Sequence, residues 1–123
     1  MIEAELNREA GILTVQPQGT LEESDFERLR LLVDPYIREH GTLNGVLIFS
    51  PAFPGWEDFG AMLSHLYFIE DHQRKIRRVA AVGDSAMVSL LPKLADWFVD
   101  AEVRSFDYGE RDVAEAWLYD AAQ

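Results

Sequence analysis

The sequence contains no cysteine and few basic residues, and each shortage removes a class of function. Without cysteine, disulfides, thiolate metal sites and cysteine nucleophiles are excluded, and a reducing compartment is expected. The 11 basic and 22 acidic residues give a formal net charge of −11, which would repel polyphosphate, so nucleic acid is not expected as a partner. No apolar run approaches the ~18 residues of a membrane span, and the N-terminus has no signal-peptide pattern. We therefore expect a cytoplasmic protein.

The composition predicts one globular domain. The chain has 123 residues, of which 48% are hydrophobic and 27% charged, and this is enough for a core of its own. It shows no repeat, low-complexity tract or linker. We therefore assign residues 1–123 to a single domain.

Two segments near the N-terminus are typical of an antiparallel hairpin. In "IEAELN" the apolar Ile2, Ala4 and Leu6 alternate with polar residues, which predicts a strand with one wet face. "GILTVQPQG" follows after a short break and completes the hairpin. Either Thr20 with Glu23, or Ser24 with Glu27, has the spacing of a capping box that would begin the first helix.

The rest of the chain alternates strands with helices. "GVLIFS", "IRRVAAVG" and "AEVRSFDY" predict strands, and helices are predicted over residues 56–71, in "AMVSLLPKLADWF" and in "GERDVAEAWLYDAA". The order ββαβαβαβα predicts an α/β fold with a single five-stranded mixed sheet, an N-terminal antiparallel hairpin followed by parallel βα units. Right-handed crossovers that step in one direction place their helices mainly on one face.

No residue pattern predicts catalysis, a metal or a cofactor. The acidic residues cluster in first helical turns, where the helix dipole and capping account for them. His65 and His72 lie seven positions apart, whereas zinc-binding helices use histidines four apart with a third ligand. Four basic residues at 74, 75, 77 and 78 are interpreted as a solvated turn before a strand, with lipid headgroup contact as the alternative. We expect no enzyme activity.

The second and third predicted helices carry more apolar residues than one core-facing stripe needs. A helix that is apolar on all sides must be buried, and a domain of this size has few places to bury two. The excess indicates an apolar cleft between the helices, a homodimer contact or a membrane-facing patch, with plain core packing as the equal alternative. The predicted ligand-binding residues of the cleft are Phe53, Trp56, Phe59, Leu63, Leu91 and Trp97.

Four segments in this order resemble the SpoIIAA-like family, a relative of the STAS domains of bacterial anti-sigma-factor antagonists. They are "FPGW" at 53–56, "RVAAVGD" at 78–84, "AEVRSFD" at 101–107 and "AEAWL" at 114–118. The resemblance implies a five-stranded sheet with helices, similar also to lipid-carrying CRAL-TRIO domains. The family has no established activity, and the resemblance further implies binding of apolar ligands or association with membranes, often as a dimer.

One departure from the parent domains bears on regulation. Anti-sigma-factor antagonists have an Asp-Ser-x-Gly turn after the third strand, and its serine is phosphorylated. Here the turn reads "SPAFPGWED", in which Ser50 precedes Pro51 and has no acidic neighbour. We therefore expect no serine phosphoswitch.

The leading hypothesis is a non-enzymatic module that binds an apolar or amphipathic, lipid-like ligand. A homodimer and peripheral contact with the inner membrane accompany this hypothesis. The alternative is a protein-protein interaction module of the anti-sigma-factor-antagonist type.

Overall fold

A five-stranded sheet forms the centre of the computed structural model, which describes residues 2–17, 22–49, 76–83 and 101–121, together with Pro92. The elements are, in chain order, β1 (Ile2–Asn7), β2 (Ile12–Pro17), α1 (Glu23–His40), β3 (Leu43–Phe49), β4 (Ile76–Gly83), β5 (Glu102–Asp107), a 3-10 helix (Tyr108–Glu110) and α2 (Arg111–Ala121). The spatial order of the strands is β1-β2-β3-β4-β5, the same as their order in the chain.

The strand pairing confirms the predicted mixed sheet. β1 pairs antiparallel with β2, with Leu6 opposite Leu13, and every later neighbour is parallel. β3 is buried along almost its whole length, as its apolar run predicts, and β4 is buried over residues 79–83, after its two arginines. β1 is a strand as predicted, with Glu3, Glu5 and Asn7 exposed and Leu6 packed against the core. Ala4 is exposed as well, so the predicted alternation does not hold at that position.

Two apolar clusters lie on opposite faces of the sheet. Alternate residues of β2, β3 and β4 pack against Leu29, Val33 and Ile37 of α1. The intervening residues, among them Leu47 and Ala80, pack against α2 through its fully buried side chains, which are Ala114 and Leu118. The described helices therefore cover both faces of the sheet.

This placement of α2 differs from the prediction of helices mainly on one face. The handedness rule constrains a helix that joins two parallel strands, as α1 joins β2 to β3. α2 follows β5 and joins it to none of the described strands, so handedness does not decide which face it covers. The second and third predicted helices lie outside the described residues, Pro92 excepted.

The N-terminus of α1 is capped by residues other than those predicted. The N-cap is Glu22, and its amide donates a hydrogen bond of 2.9 Å to the carboxylate of Asp25. Arg28 donates a second hydrogen bond, of 2.7 Å, to the same carboxylate. Four acidic residues between positions 22 and 27 offer several cap registers, and spacing alone does not choose among them.

The carboxyl group of Asp25 is expected to make stability depend on pH in acid. Its pKa is lowered from 3.8, chiefly because the carboxylate accepts the hydrogen bond from the Glu22 amide. Burial acts in the opposite direction, and the hydrogen bond from Arg28 lowers the pKa further. A carboxyl group whose pKa is lower in the folded state than in the unfolded state stabilises the folded protein at pH values above the unfolded-state pKa. This contribution is lost as the pH falls through the folded-state pKa. Asp25→Asn should therefore cost stability at neutral pH, and the difference from the parent should shrink below pH 3.8.

Urea unfolding of the parent and of Asp25→Asn between about pH 2 and pH 7 measures this difference. Glu27→Gln removes an exposed carboxylate from the same helix and controls for the change of net charge. A parent-to-variant difference that stays constant down to about pH 2 would show that the ionisation of Asp25 does not matter.

Candidate functional site

The six residues predicted to line an apolar cleft lie outside the described residues, as does Ser50. These are Phe53, Trp56, Phe59, Leu63, Leu91 and Trp97, and the cleft stays a prediction. The first four of them follow β3 in the sequence, and the structure does describe the end of that strand, at Phe49. The carboxyl ends of β3, β4 and β5 meet at this edge of the sheet, since the three strands are parallel.

An aromatic pair with a cation over it occupies this carboxyl edge. The rings of Phe49 and Tyr108 are stacked, with centroids 5.2 Å apart and an interplanar angle of 22°. The guanidinium carbon of Arg111 lies 4.4 Å from the centroid of Phe49. This distance is within the range of a cation–π interaction. We call Phe49, Tyr108 and Arg111 the carboxyl-edge cluster.

Three elements position this cluster. Phe49 is the last residue of β3, Tyr108 opens the 3-10 helix after β5, and Arg111 is the first residue of α2. The amide of Asp107 donates a hydrogen bond of 2.9 Å to the carboxylate of Glu110, which closes the turn that carries Tyr108. This turn begins the C-terminal helical region. The observed N-cap of the 3-10 helix is Asp107.

The cluster combines a buried base with an exposed rim. Phe49 is 8% exposed, whereas Tyr108 is 49% exposed. Tyr108 therefore presents aromatic surface to solvent while it is stacked on a buried ring. This arrangement is typical of a surface that binds a partner, because exposed aromatic rings held in place lose little freedom on binding.

A polar recess lies along the side of α2 that faces the hairpin. Its volume is about 170 Å³, and it is lined by Glu5, Asn7, Ile12, Thr14, Arg111, Glu115 and Tyr119. The side-chain amide of Asn7 donates a hydrogen bond of 2.9 Å to the hydroxyl of Tyr119, which ties the hairpin to the end of α2. Arg111 belongs both to the recess and to the carboxyl-edge cluster.

The opposite side of α2 is held to β4 and β5 by arginines. Arg78 donates a hydrogen bond of 2.7 Å to the carbonyl of Trp117 and lies 4.9 Å from the centroid of its ring. It also forms ion pairs with Glu102 and Asp120, at 3.7 and 3.8 Å. The contacts of Arg78 therefore fasten α2 to the sheet, and headgroup contact by the basic run stays a prediction. Residues 74 and 75 lie outside the described residues.

Neither a metal cluster nor a membrane-spanning helix is found in the described part of the chain. No three or more His, Cys, Asp or Glu side chains are grouped there in a way that would hold a metal ion. The described helices are also too short or too polar to cross a membrane.

Little in the sequence indicates the carboxyl-edge cluster. The sequence predicts Phe49 as part of a buried strand, Tyr108 as the last residue of the final strand and Arg111 as part of the last helix. A tyrosine directly after a strand and an arginine at a helix start are ordinary in a sequence. The fold brings them together because β5 ends two strands away from β3 at the same edge.

The comparisons with known proteins agree with this fold. The model of the SpoIIAA-like family matches residues 12–119, which is more than half of the chain. A search among curated proteins gives no match. The match spans the sheet from β2 to β5 and most of α2, which carries Arg111 and the buried Leu118. The chain therefore belongs to the SpoIIAA-like family, a STAS-type α/β module.

Proposed function

We propose that this protein is a non-enzymatic interaction module of the anti-sigma-factor-antagonist type, which binds a protein partner at the carboxyl edge of its sheet. The observation that carries the proposal is Tyr108, half exposed and stacked on Phe49 at the end of β3. In the anti-sigma-factor antagonists that the sequence resembles, the phosphorylated turn follows the third strand, which corresponds to β3 here. Membership of the family supports a protein partner in general.

The cluster has the physical properties of an interface anchor. Tyrosine and arginine are enriched among the residues that dominate binding energy at protein interfaces. Here Tyr108 rests on Phe49, and Arg111 is held on the same ring and by a hydrogen bond of 3.1 Å to Glu115. Both side chains are thus ordered before a partner arrives, which reduces the entropy lost on binding.

The proposal departs from the leading sequence hypothesis of a lipid-like ligand. All six residues named for that ligand lie outside the described residues, and the recess beside α2 is lined mostly by polar side chains. Polar and charged walls do not favour an acyl chain. The interaction is proposed without a phosphoswitch, because the turn after Phe49 lacks the Asp-Ser-x-Gly sequence.

Site-specific photocrosslinking in the native host tests the proposal. A photoreactive phenylalanine derivative replaces Tyr108, and a matched derivative replaces Leu31, which is 67% exposed on α1. We expect residue 108 to capture a protein that residue 31 does not. With the captured partner purified, Tyr108→Ala should weaken its binding about tenfold or more, since anchor residues typically contribute over 1 kcal/mol.

Capture of the same proteins at both positions, or of none at residue 108, would contradict the proposal. Native mass spectrometry of the purified protein examines the rival hypothesis in parallel. A stoichiometrically retained lipid without any protein captured at residue 108 would favour the apolar-ligand hypothesis. The same spectrum gives the subunit count, for which a homodimer stays a prediction.

A further inference from the structure

The recess between the hairpin and α2 has an unbalanced charge. Three ionisable side chains of opposite signs line it, namely Glu5, Arg111 and Glu115, along with the phenol of Tyr119. The Nε of Arg111 donates a hydrogen bond of 3.1 Å to Glu115, and its guanidinium lies on Phe49. These two charges compensate each other. Among the described residues Glu5 has no cationic partner, so the recess retains one negative charge.

We infer that this recess receives a basic side chain, arginine or lysine, from the protein partner. The inference rests on the proposed function and names the chemistry of the partner. A guanidinium or ammonium group needs a carboxylate and further acceptors to replace its water. Glu5 supplies the carboxylate and Thr14 a hydroxyl oxygen, and both line the recess.

Tyr119 completes the recess on the side of α2. Its hydroxyl accepts the hydrogen bond from Asn7, which holds the phenol against the hairpin and leaves its ring as part of the wall. A cation beside an aromatic ring gains attraction from the ring as well as from a carboxylate. The alkyl stem of the incoming side chain would lie against Ile12, the apolar residue of the lining.

Location and net charge both favour a protein segment as the source of the cation. The recess shares Arg111 with the carboxyl-edge cluster, so a partner seated on Tyr108 lies close enough to place a side chain in it. The formal charge of −11 favours encounter with a partner whose contact surface is basic.

A peptide titration followed by NMR tests the inference on the intact purified protein. The probe is a pentapeptide with one central arginine between alanines, acetylated and amidated at its ends. The control peptide carries citrulline, which has the same shape without the charge. At low salt we expect the arginine peptide to cause saturable shifts of the amide resonances of Glu5, Thr14 and Tyr119. The citrulline peptide should bind at least about threefold more weakly.

Two variants with the same change of net charge separate the recess from general electrostatic attraction. Glu5→Gln should weaken the binding of the arginine peptide at least about threefold. Glu102→Gln removes a glutamate from the opposite edge strand, where it pairs with Arg78, and should leave the affinity unchanged.

Equal weakening by both variants, or shifts spread over the acidic surface, would overturn the inference. So would equal binding of the two peptides. A failure here is distinguishable from a failure of the proposed function, because the titration uses purified protein and the capture at residue 108 is read in cells. A partner captured at residue 108 whose affinity does not respond to Glu5→Gln would uphold the interface and overturn the role of the recess.

Discussion

Replacing Leu118 with alanine is expected to cost about 2–5 kcal/mol of the free energy of unfolding. Leu118 is fully buried, and it is the side chain through which α2 contacts Gly45 of β3. A Cβ atom placed on Gly45 would lie 2.9 Å from Cδ2 of Leu118 and 3.3 Å from its Cβ. Gly45→Ala should therefore also destabilise, by about 1–3 kcal/mol, because α2 would have to move away from the sheet.

The two substitutions together should cost less than the sum of the separate costs. The methyl group of alanine at position 45 would occupy part of the space that Leu118→Ala vacates. Residues in direct contact show such coupling, at about 0.5–3 kcal/mol. Chemical denaturation of the parent, the two single variants and the double variant measures it as a double-mutant cycle.

Gly109→Ala is the matched control for the glycine substitution. A Cβ atom at Gly109 would meet nothing within 4 Å, so this variant should keep the stability of the parent to within about 0.5 kcal/mol. Strictly additive costs at positions 45 and 118 would show that the close approach of α2 to β3 is not what Gly45 permits.

The contact at Gly45 also connects stability to the proposed interface. α2 lies close to β3 at Gly45, and its first residue, Arg111, lies over Phe49 at the end of the same strand. A helix displaced by Gly45→Ala would move Arg111 relative to Phe49. Partner binding should therefore weaken in this variant even under conditions in which it remains folded.

Much of the sheet is predictable from the sequence because its signals are local. The apolar run of β3 corresponds to a buried strand, and the segments predicted as strands at β1 and β4 are strands in the structure. The parallel pairing also follows, since helical segments between strands require crossovers. These predictions use only the sequence within one element or between two neighbours.

The face covered by α2 is not predictable in the same way. The sequence shows that Ala114 and Leu118, four residues apart, share one stripe of a helix, but either face of the sheet offers apolar residues to cover it. None of the described strands follows α2 to constrain the choice. A buried glycine in β3 that admits Leu118 is the deciding detail, and in the sequence it is one glycine inside an apolar run.

The candidate sites depend on this choice and were therefore missed. Glu5 and Thr14 of the hairpin meet Glu115 and Tyr119 only because α2 covers the face on which the polar residues of β1 lie. In the sequence these pairs are separated by about a hundred positions, and each residue taken alone is an ordinary surface residue. The cleft predicted from apolar helices instead relied on residues that the structure does not describe.

Gly11→Ala is expected to destabilise the protein by about 2–4 kcal/mol, through both backbone strain and a steric clash. Gly11 has a φ of +70°, and a Cβ atom there would lie 2.6 Å from the hydroxyl oxygen of Tyr36 and 3.0 Å from Nδ2 of Asn44. Its backbone has little freedom to adjust. The Gly11 amide donates to the carbonyl of Asn7 at 2.8 Å, and its carbonyl accepts from the amide of Asn44 at 2.8 Å.

Two variants separate the strain at Gly11 from the clash. Gly41 also has a positive φ, +84°, but a Cβ atom there would meet nothing within 4 Å, so Gly41→Ala should cost only the strain, about 1–2 kcal/mol. Tyr36→Phe removes the oxygen nearest to the added methyl group and should recover part of the loss when combined with Gly11→Ala. Thermal and urea unfolding measure the stability of the parent, of Gly11→Ala, of Gly41→Ala and of the double variant Gly11→Ala with Tyr36→Phe. If Gly11→Ala costs no more than Gly41→Ala, and Tyr36→Phe recovers nothing, the hairpin is not held against α1 and β3 as tightly as these distances require.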